Sequence, residues 1–137
     1  PQAAIASLPS APMSRRGHTP RRVLCVDNEP SILHGLKLLL ARWGLSAVSA
    51  PNAAAALAAP GPFDAALVDL HLGDGPDGLS VIAALRAQGV SHIALITADA
   101  EEDLAARVAA AGAVLLSKPV RPAALKAFLM RPIQDET

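Results

Sequence analysis

The chain has 137 residues, of which 52% are hydrophobic and 18% charged, and its formal net charge is zero. That length suits one domain, and the apolar share is that of a globular rather than a disordered chain. Balanced charge gives no ground for a nucleic-acid or membrane surface, and no apolar run is long enough to span a bilayer.

Residues 1–21 are rich in Pro, Ser and Ala and read as a flexible linker. They lack the basic start and continuous apolar block of a signal peptide. Beginning at Pro1, the chain reads as a piece of a longer or processed protein. Arg15, Arg16, Arg21 and Arg22 form a basic cluster, read as solvated linker charge or, alternatively, as a contact for an acidic partner. The folded unit is expected over 22–131, with 132–137 as a C-terminal tail.

Within that unit strands and helices alternate. Val23–Asp27 reads as a buried strand, and its Cys25 is the only cysteine. No internal disulfide is possible, which fits a reducing compartment. Ser31–Trp43 reads as a helix, with Ile32, Leu36, Leu39, Leu40 and Trp43 at helical spacing and Gly44 as its stop. Ser46–Ser49 is a weak strand, and Asn52–Ala59 an alanine-rich helix closed by Pro60-Gly61-Pro62. Asp64–Leu70 is a strand, followed by the loop HLGDGPDG. Leu79–Gln88, His92–Thr97, Ala100–Ala111, Ala113–Leu116 and Arg121–Leu129 then read as helix, strand, helix, strand and helix. His34 is read as a helix-face residue and His92 as a strand start. Trp43, Phe63 and Phe128 are the only aromatic residues, so Leu, Val, Ile and Ala must build the core.

The strands are mostly continuous apolar runs, as expected where both faces of a parallel sheet are covered. Five strand–helix pairs predict a doubly wound, five-stranded parallel sheet with helices on both faces. Ligands of such sheets bind beyond the carboxyl ends of the strands. Those ends carry Asp27-Asn28-Glu29, Asp69, Thr97-Ala98-Asp99 and Ser117-Lys118-Pro119. Each has a structural reading: Asp69 in a turn, Asp27 or Asn28 or Thr97 as a helix cap, Lys118 in solvent. Together they favour a site.

Residue types suggest its chemistry. Two carboxylates, Asp27 and Asp69, repel each other when close and partly buried. A hard divalent cation relieves that repulsion, and Mg²⁺ suits one or two carboxylates plus waters and a phosphate oxygen. Lys118 adds a mobile positive charge and Thr97 a hydroxyl, a set that suits phosphoryl oxygens. A carboxylate can then be the nucleophile that accepts the group.

VLCVDNEP, ALVDLHLGDGPDG, LITAD and LLSKPV, in this order and spacing, resemble the receiver domain of two-component response regulators. The resemblance covers residues 22–131 and implies the flavodoxin-like (βα)5 fold. It implies that Asp69 accepts a phosphoryl group from a histidine kinase or a histidine phosphotransfer domain. It implies that Asp27, Asp69 and the backbone carbonyl of His71 bind Mg²⁺, with Asn28 reaching the metal directly or through water. Thr97, the backbone N–H of Ala98 and Lys118 would hold the phosphoryl oxygens. Lys118-Pro119 would be a cis peptide. His71 and Asp99 would tune the lifetime of the phosphoryl group.

Three segments depart from the pattern. Asn28 stands where a second acid is usual, which predicts weaker Mg²⁺ binding; Glu29 is read as pointing outward. Leu72-Gly73 replaces the usual Met-Pro pair in a loop one residue longer, with Asp74 and Asp77 as solvated turn residues. Leu115 replaces the usual Tyr or Phe of the switch, in a segment one residue short.

The function expected is a phosphoacceptor in a cytoplasmic phosphorelay, without turnover of a separate substrate and without direct contact to nucleic acid or membrane. With only RPIQDET after the last helix, the chain reads as a stand-alone receiver or the C-terminal receiver of a hybrid sensor histidine kinase. The Pro/Ala linker and the loop wording favour the hybrid. A phosphate-independent docking module is the alternative. A phosphatase is disfavoured, since the acceptor-like Asp69 is not on the first strand.

Overall fold

The computed structural model describes residues 21–73, 75–98 and 102–130. Strands and helices alternate along them: β1 Arg22–Val26, α1 Pro30–Arg42, β2 Ser46–Ala50, α2 Ala53–Ala58, β3 Ala65–Asp69, α3 Gly78–Ala87, β4 Ile93–Thr97, α4 Glu102–Ala110, β5 Val114–Ser117 and α5 Pro122–Met130. All neighbouring strands are parallel, in the order β2-β1-β3-β4-β5. This is the flavodoxin-like order, and it reverses between β1 and β3. Asp74, Asp99 and the tail 132–137 lie outside the described residues, as does the linker except for Arg21.

The continuous apolar runs are a period-two pattern with both faces covered. Leu24, Val26, Ala66, Val68, Ile93 and Leu95 face one core, closed by α2, α3 and α4. Their neighbours Val23, Cys25, Ala65, Leu67, Ala94 and Ile96 face the other, closed by α1 and α5. Every residue of β3 and β4 is buried, whereas in edge strand β2 only Ala50 is. That is why Ser46–Ser49 carries so weak a strand pattern. Burial pushes the Cys25 thiol up to about 12, so it is an inert core group.

Local chemistry sets the helix ends. Asn52 caps α2 by accepting the Ala55 N–H at 2.8 Å. Asp77, expected only as a solvated turn residue, is exposed and also caps α3 by accepting the Ser80 N–H at 3.1 Å. Neither Asp27 nor Asn28 caps α1: Glu29 holds that position without a side-chain bond, and Pro30 is the first helical residue. Gly44 leaves α1 at φ +79°, a left-handed conformation that glycine adopts without a Cβ penalty.

At the amino end of the sheet the charged groups are tied down. The Arg22 guanidinium donates to the carbonyls of Pro60 (2.7 Å) and Pro62 (3.0 Å) and lies 4.6 Å from the Phe63 ring centroid. Asp64 accepts the backbone N–H groups of Arg21 and Arg22, both at 3.0 Å. Arg22 therefore belongs to the fold rather than to solvated linker charge. His92 sits just before β4, with its ring stacked 4.1 Å from that of Phe128 and Nε2 2.7 Å from the Phe128 carbonyl. His34, read as a helix-face residue, is an exposed residue of α1. Among the described residues no helix is long and apolar enough to cross a membrane.

Candidate functional site

Because all strands run in parallel, their carboxyl ends meet at one edge. β1 and β3 are direct neighbours, so Asp27, one residue past β1, lies beside Asp69, the last residue of β3. Both are buried, at 4% and 5% exposure. The Asp27 N–H donates to the Ala50 carbonyl at 3.1 Å, which anchors it to β2. Its Oδ1 accepts the Glu29 N–H at 2.9 Å, which orients the carboxylate.

Lys118 arrives from the other side of the sheet. It follows β5 directly, and its N–H donates to the Thr97 carbonyl at 2.9 Å. Its Nζ is 3.3 Å from Asp69 Oδ1 and 4.0 Å from Asp27 Oδ2. The next peptide, Lys118-Pro119, is cis, as the resemblance implies. Thr97 ends β4 and is almost wholly buried, and exposed Ala98 lines the same opening as Asp27 and Lys118.

The electrostatics follow from this packing. Burial raises the Asp27 pKa above the ordinary 3.8. The Glu29 N–H opposes that rise, the Asp69 charge adds to it, Lys118 opposes it and the Glu29 charge adds again. Among the described residues, the two buried acids thus share a single lysine. Such a pair attracts a further cation. Among the described residues no three His, Cys, Asp or Glu side chains converge on a metal-sized site. Two carboxylates alone suit an ion that completes its shell with waters and phosphate oxygens, as Mg²⁺ does, and not a structural zinc.

The remaining candidates lie around this pair. Exposed His71 is two residues past Asp69. Asn28 is exposed and faces the β3–α3 loop: a Cβ on Gly73 would lie 3.5 Å from its Nδ2. Glu29 is exposed, as expected. Leu115 is a half-buried β5 residue paired with Leu95 and packed on the first core. Asp99 lies outside the described residues.

Two features escape the sequence reading. An open cleft of about 590 Å³ runs from Asp27 and Lys118 between α1 and α5, lined by Ile32, Leu36, Val120 and Leu125 together with the sheet residues Leu67 and Ile96. Its one signal is Gly35, a gap in the α1 apolar stripe. The second feature is Gly78, which begins α3 and packs against the backbone of Asp69. Its signal is the glycine that opens a helical pattern.

Fold and site together define an α/β domain with an acidic, lysine-bridged pocket at the carboxyl edge of its sheet. Residues 23–130 match the family model of the response regulator receiver domain, and the chain belongs to that family, a component of two-component systems. It is 37% identical over 109 residues to the alginate biosynthesis transcriptional regulatory protein AlgB of Pseudomonas aeruginosa, a match covering 77% of this chain and 24% of that protein. It is 38% identical over 104 residues to the response regulator protein PilR of the same organism, covering 73% and 23%. The chain thus spans about a quarter of the length of these curated relatives. Among solved structures it is similar to the chemotaxis protein CheY4 of Vibrio cholerae, with a TM-score of 0.72, 26% identity and coverage of 80% and 95%. It is also similar to a Burkholderia pseudomallei response regulator with a phosphorylated aspartic acid, calcium ion and citrate, with a TM-score of 0.73, 30% identity and coverage of 80% and 66%.

Proposed function

We propose that Asp69 accepts a phosphoryl group from a phosphohistidine of a histidine kinase or phosphotransfer domain. The supporting observation is the buried pair Asp27 and Asp69 with Lys118 Nζ 3.3 Å from Asp69. A carboxylate oxygen of Asp69 attacks phosphorus; the new O–P bond forms as the P–N bond breaks and the imidazole leaves with its electron pair. Lys118, paired with Asp69 before transfer, neutralises a phosphoryl oxygen after it. The Thr97 hydroxyl and the Ala98 N–H hold the others. Asp27, Asp69, the His71 carbonyl and Asn28 would hold Mg²⁺, which when bound supplies charge neutralisation at the phosphoryl oxygens. His71 and Asp99 are proposed to set how fast water removes the group.

The unit that does this is taken as residues 22–131, flanked by a linker and a short tail. It is proposed to work in the cytoplasm, without turnover of a separate substrate. The linker composition and loop wording support a hybrid sensor kinase as the parent, whereas the curated relatives are named as a transcriptional regulatory protein and a response regulator. Transcriptional regulation belongs to the longer AlgB protein, and this domain is proposed to touch no nucleic acid or membrane itself.

Intact mass after incubation with a small phosphodonor tests the reading. One phosphoryl group should be gained only with Mg²⁺ present and Asp69 intact, and Asp69→Asn should gain none. No gain by the folded parent chain, with the donor active on a control receiver, would replace this reading with a phosphate-independent docking module.

A further inference from the structure

Gly78 begins α3, and its N–H donates to the Leu70 carbonyl at 2.8 Å. On the other side Leu70 donates to the Ile96 carbonyl at 3.0 Å, so β4 and α3 together clamp the end of β3. A Cβ on Gly78 would overlap the Asp69 carbonyl and lie 2.8 Å from both Leu70 Cα and Leu95 Cδ1. Among the described glycines only Gly78 and Gly112 would bring a Cβ within 3.0 Å of a neighbour. At Gly112 that neighbour is the Arg86 guanidinium, the far end of a flexible side chain. At Gly78 it is backbone, and the backbone is that of the acceptor residue. Gly78 has no left-handed φ, and alanine is ordinarily the better helix residue. Its reason to be glycine is therefore contact and not conformation.

We infer that Gly78 is a positioning residue for phosphoryl transfer: its missing side chain lets α3 close the acceptor loop against Asp69 and fixes the carboxylate opposite Lys118. This rests on Asp69 being the acceptor. A side chain at position 78 can be relieved in two ways. Leu95 can be shortened, because its offending atom is a terminal methyl. The Asp69 carbonyl cannot be shortened; it can only move, and the carboxylate moves with it.

Gly78→Ala and Gly78→Ala with Leu95→Val separate these, run beside the parent chain and Asp69→Asn. Folded fraction is measured by circular dichroism, and Mg²⁺-dependent phosphorylation by intact mass. Amide positions are read by ¹H–¹⁵N spectra. Per folded molecule, Gly78→Ala should be phosphorylated about tenfold to a hundredfold more slowly, the size of effect expected of a small misplacement. Its largest amide shifts should fall on Asp69, Leu70 and His71. Leu95→Val should not restore the rate. A parental rate per folded Gly78→Ala molecule would overturn the inference, as would a rate restored by Leu95→Val. So would failure of both variants to fold, which would make Gly78 a purely structural residue. Absence of labelling in the parent chain, or equal labelling of Asp69→Asn, would overturn the acceptor reading instead. The amide shifts at Asp69–His71 would then still report whether Gly78 holds the strand end.

Discussion

The two ends of one sheet handle charge in opposite ways. At the amino end, Arg22 is spread over two carbonyls and a ring, Asp64 accepts two backbone N–H groups, and His92 stacks on Phe128. Arg22, Asp64 and His92 are all half-exposed. At the carboxyl end, two acids are nearly inaccessible and share one lysine. Burying a carboxylate costs free energy unless it is paired. The first end therefore stabilises the fold, and the second carries a burial penalty that Lys118 and the Glu29 N–H offset in part and a bound cation would relieve further.

Removing the lysine should break the contrast most strongly. Lys118→Met leaves Asp27 and Asp69 facing each other with no cation. The stability loss should be roughly 1–3 kcal/mol at neutral pH, the cost of an unsatisfied buried group. It should shrink as pH falls and Asp27, whose pKa burial raises, protonates. Urea unfolding at neutral and acidic pH checks this, and a loss that grows in acid would sink it. Phosphorylation should slow by about 10²-fold or more, since the charge that develops on the transferred group loses a fixed partner.

The amino end should respond the other way. Arg22→Ala removes a cation–π contact and two hydrogen bonds, an expected cost of about 1–2 kcal/mol. Phosphorylation per folded molecule should not change, because the whole length of β1 separates Arg22 from Asp27. A slower rate in the folded variant would show that the two ends are coupled.

The carboxyl end was legible in the sequence and the amino end was not. Asp27 and Asp69 stand out because each interrupts an apolar run, and parallel strands send every interruption to one edge. Lys118 and Thr97 gained meaning only from their order along the chain. Arg22 looked like one more linker charge, since its partner Pro62 lies 40 residues away. His92 looked like a strand start, since Phe128 lies 36 residues away. Asp77 read as a turn residue because a cap and a turn use the same side chain. Gly78 was hidden for another reason: HLGDGPDG reads only as a loop, whereas the close approach of this glycine to the Asp69 backbone is revealed only by three-dimensional contact.

The smallest effect on stability, and the sharpest on the comparison, belongs to Asp27→Asn. Burial raises the Asp27 pKa, so the folded chain binds that proton more tightly than the unfolded chain does. Its contribution to stability is full below the ordinary value of 3.8 and is lost as pH rises through the raised value. At neutral pH the ionised side chain is then a net burden on the metal-free fold. Asparagine keeps the shape and an oxygen for the Glu29 N–H but carries no charge. Without Mg²⁺, the variant's thermal midpoint should therefore lie a few degrees above the parent's at neutral pH. The gap should close in acid, where the parent is protonated too. With Mg²⁺ the order should reverse, because only the parent gains a bound ion that favours the folded state. A variant less stable than the parent in the absence of Mg²⁺ would mean that Lys118 already compensates Asp27 fully. The carboxyl end would then be as well satisfied as the amino end.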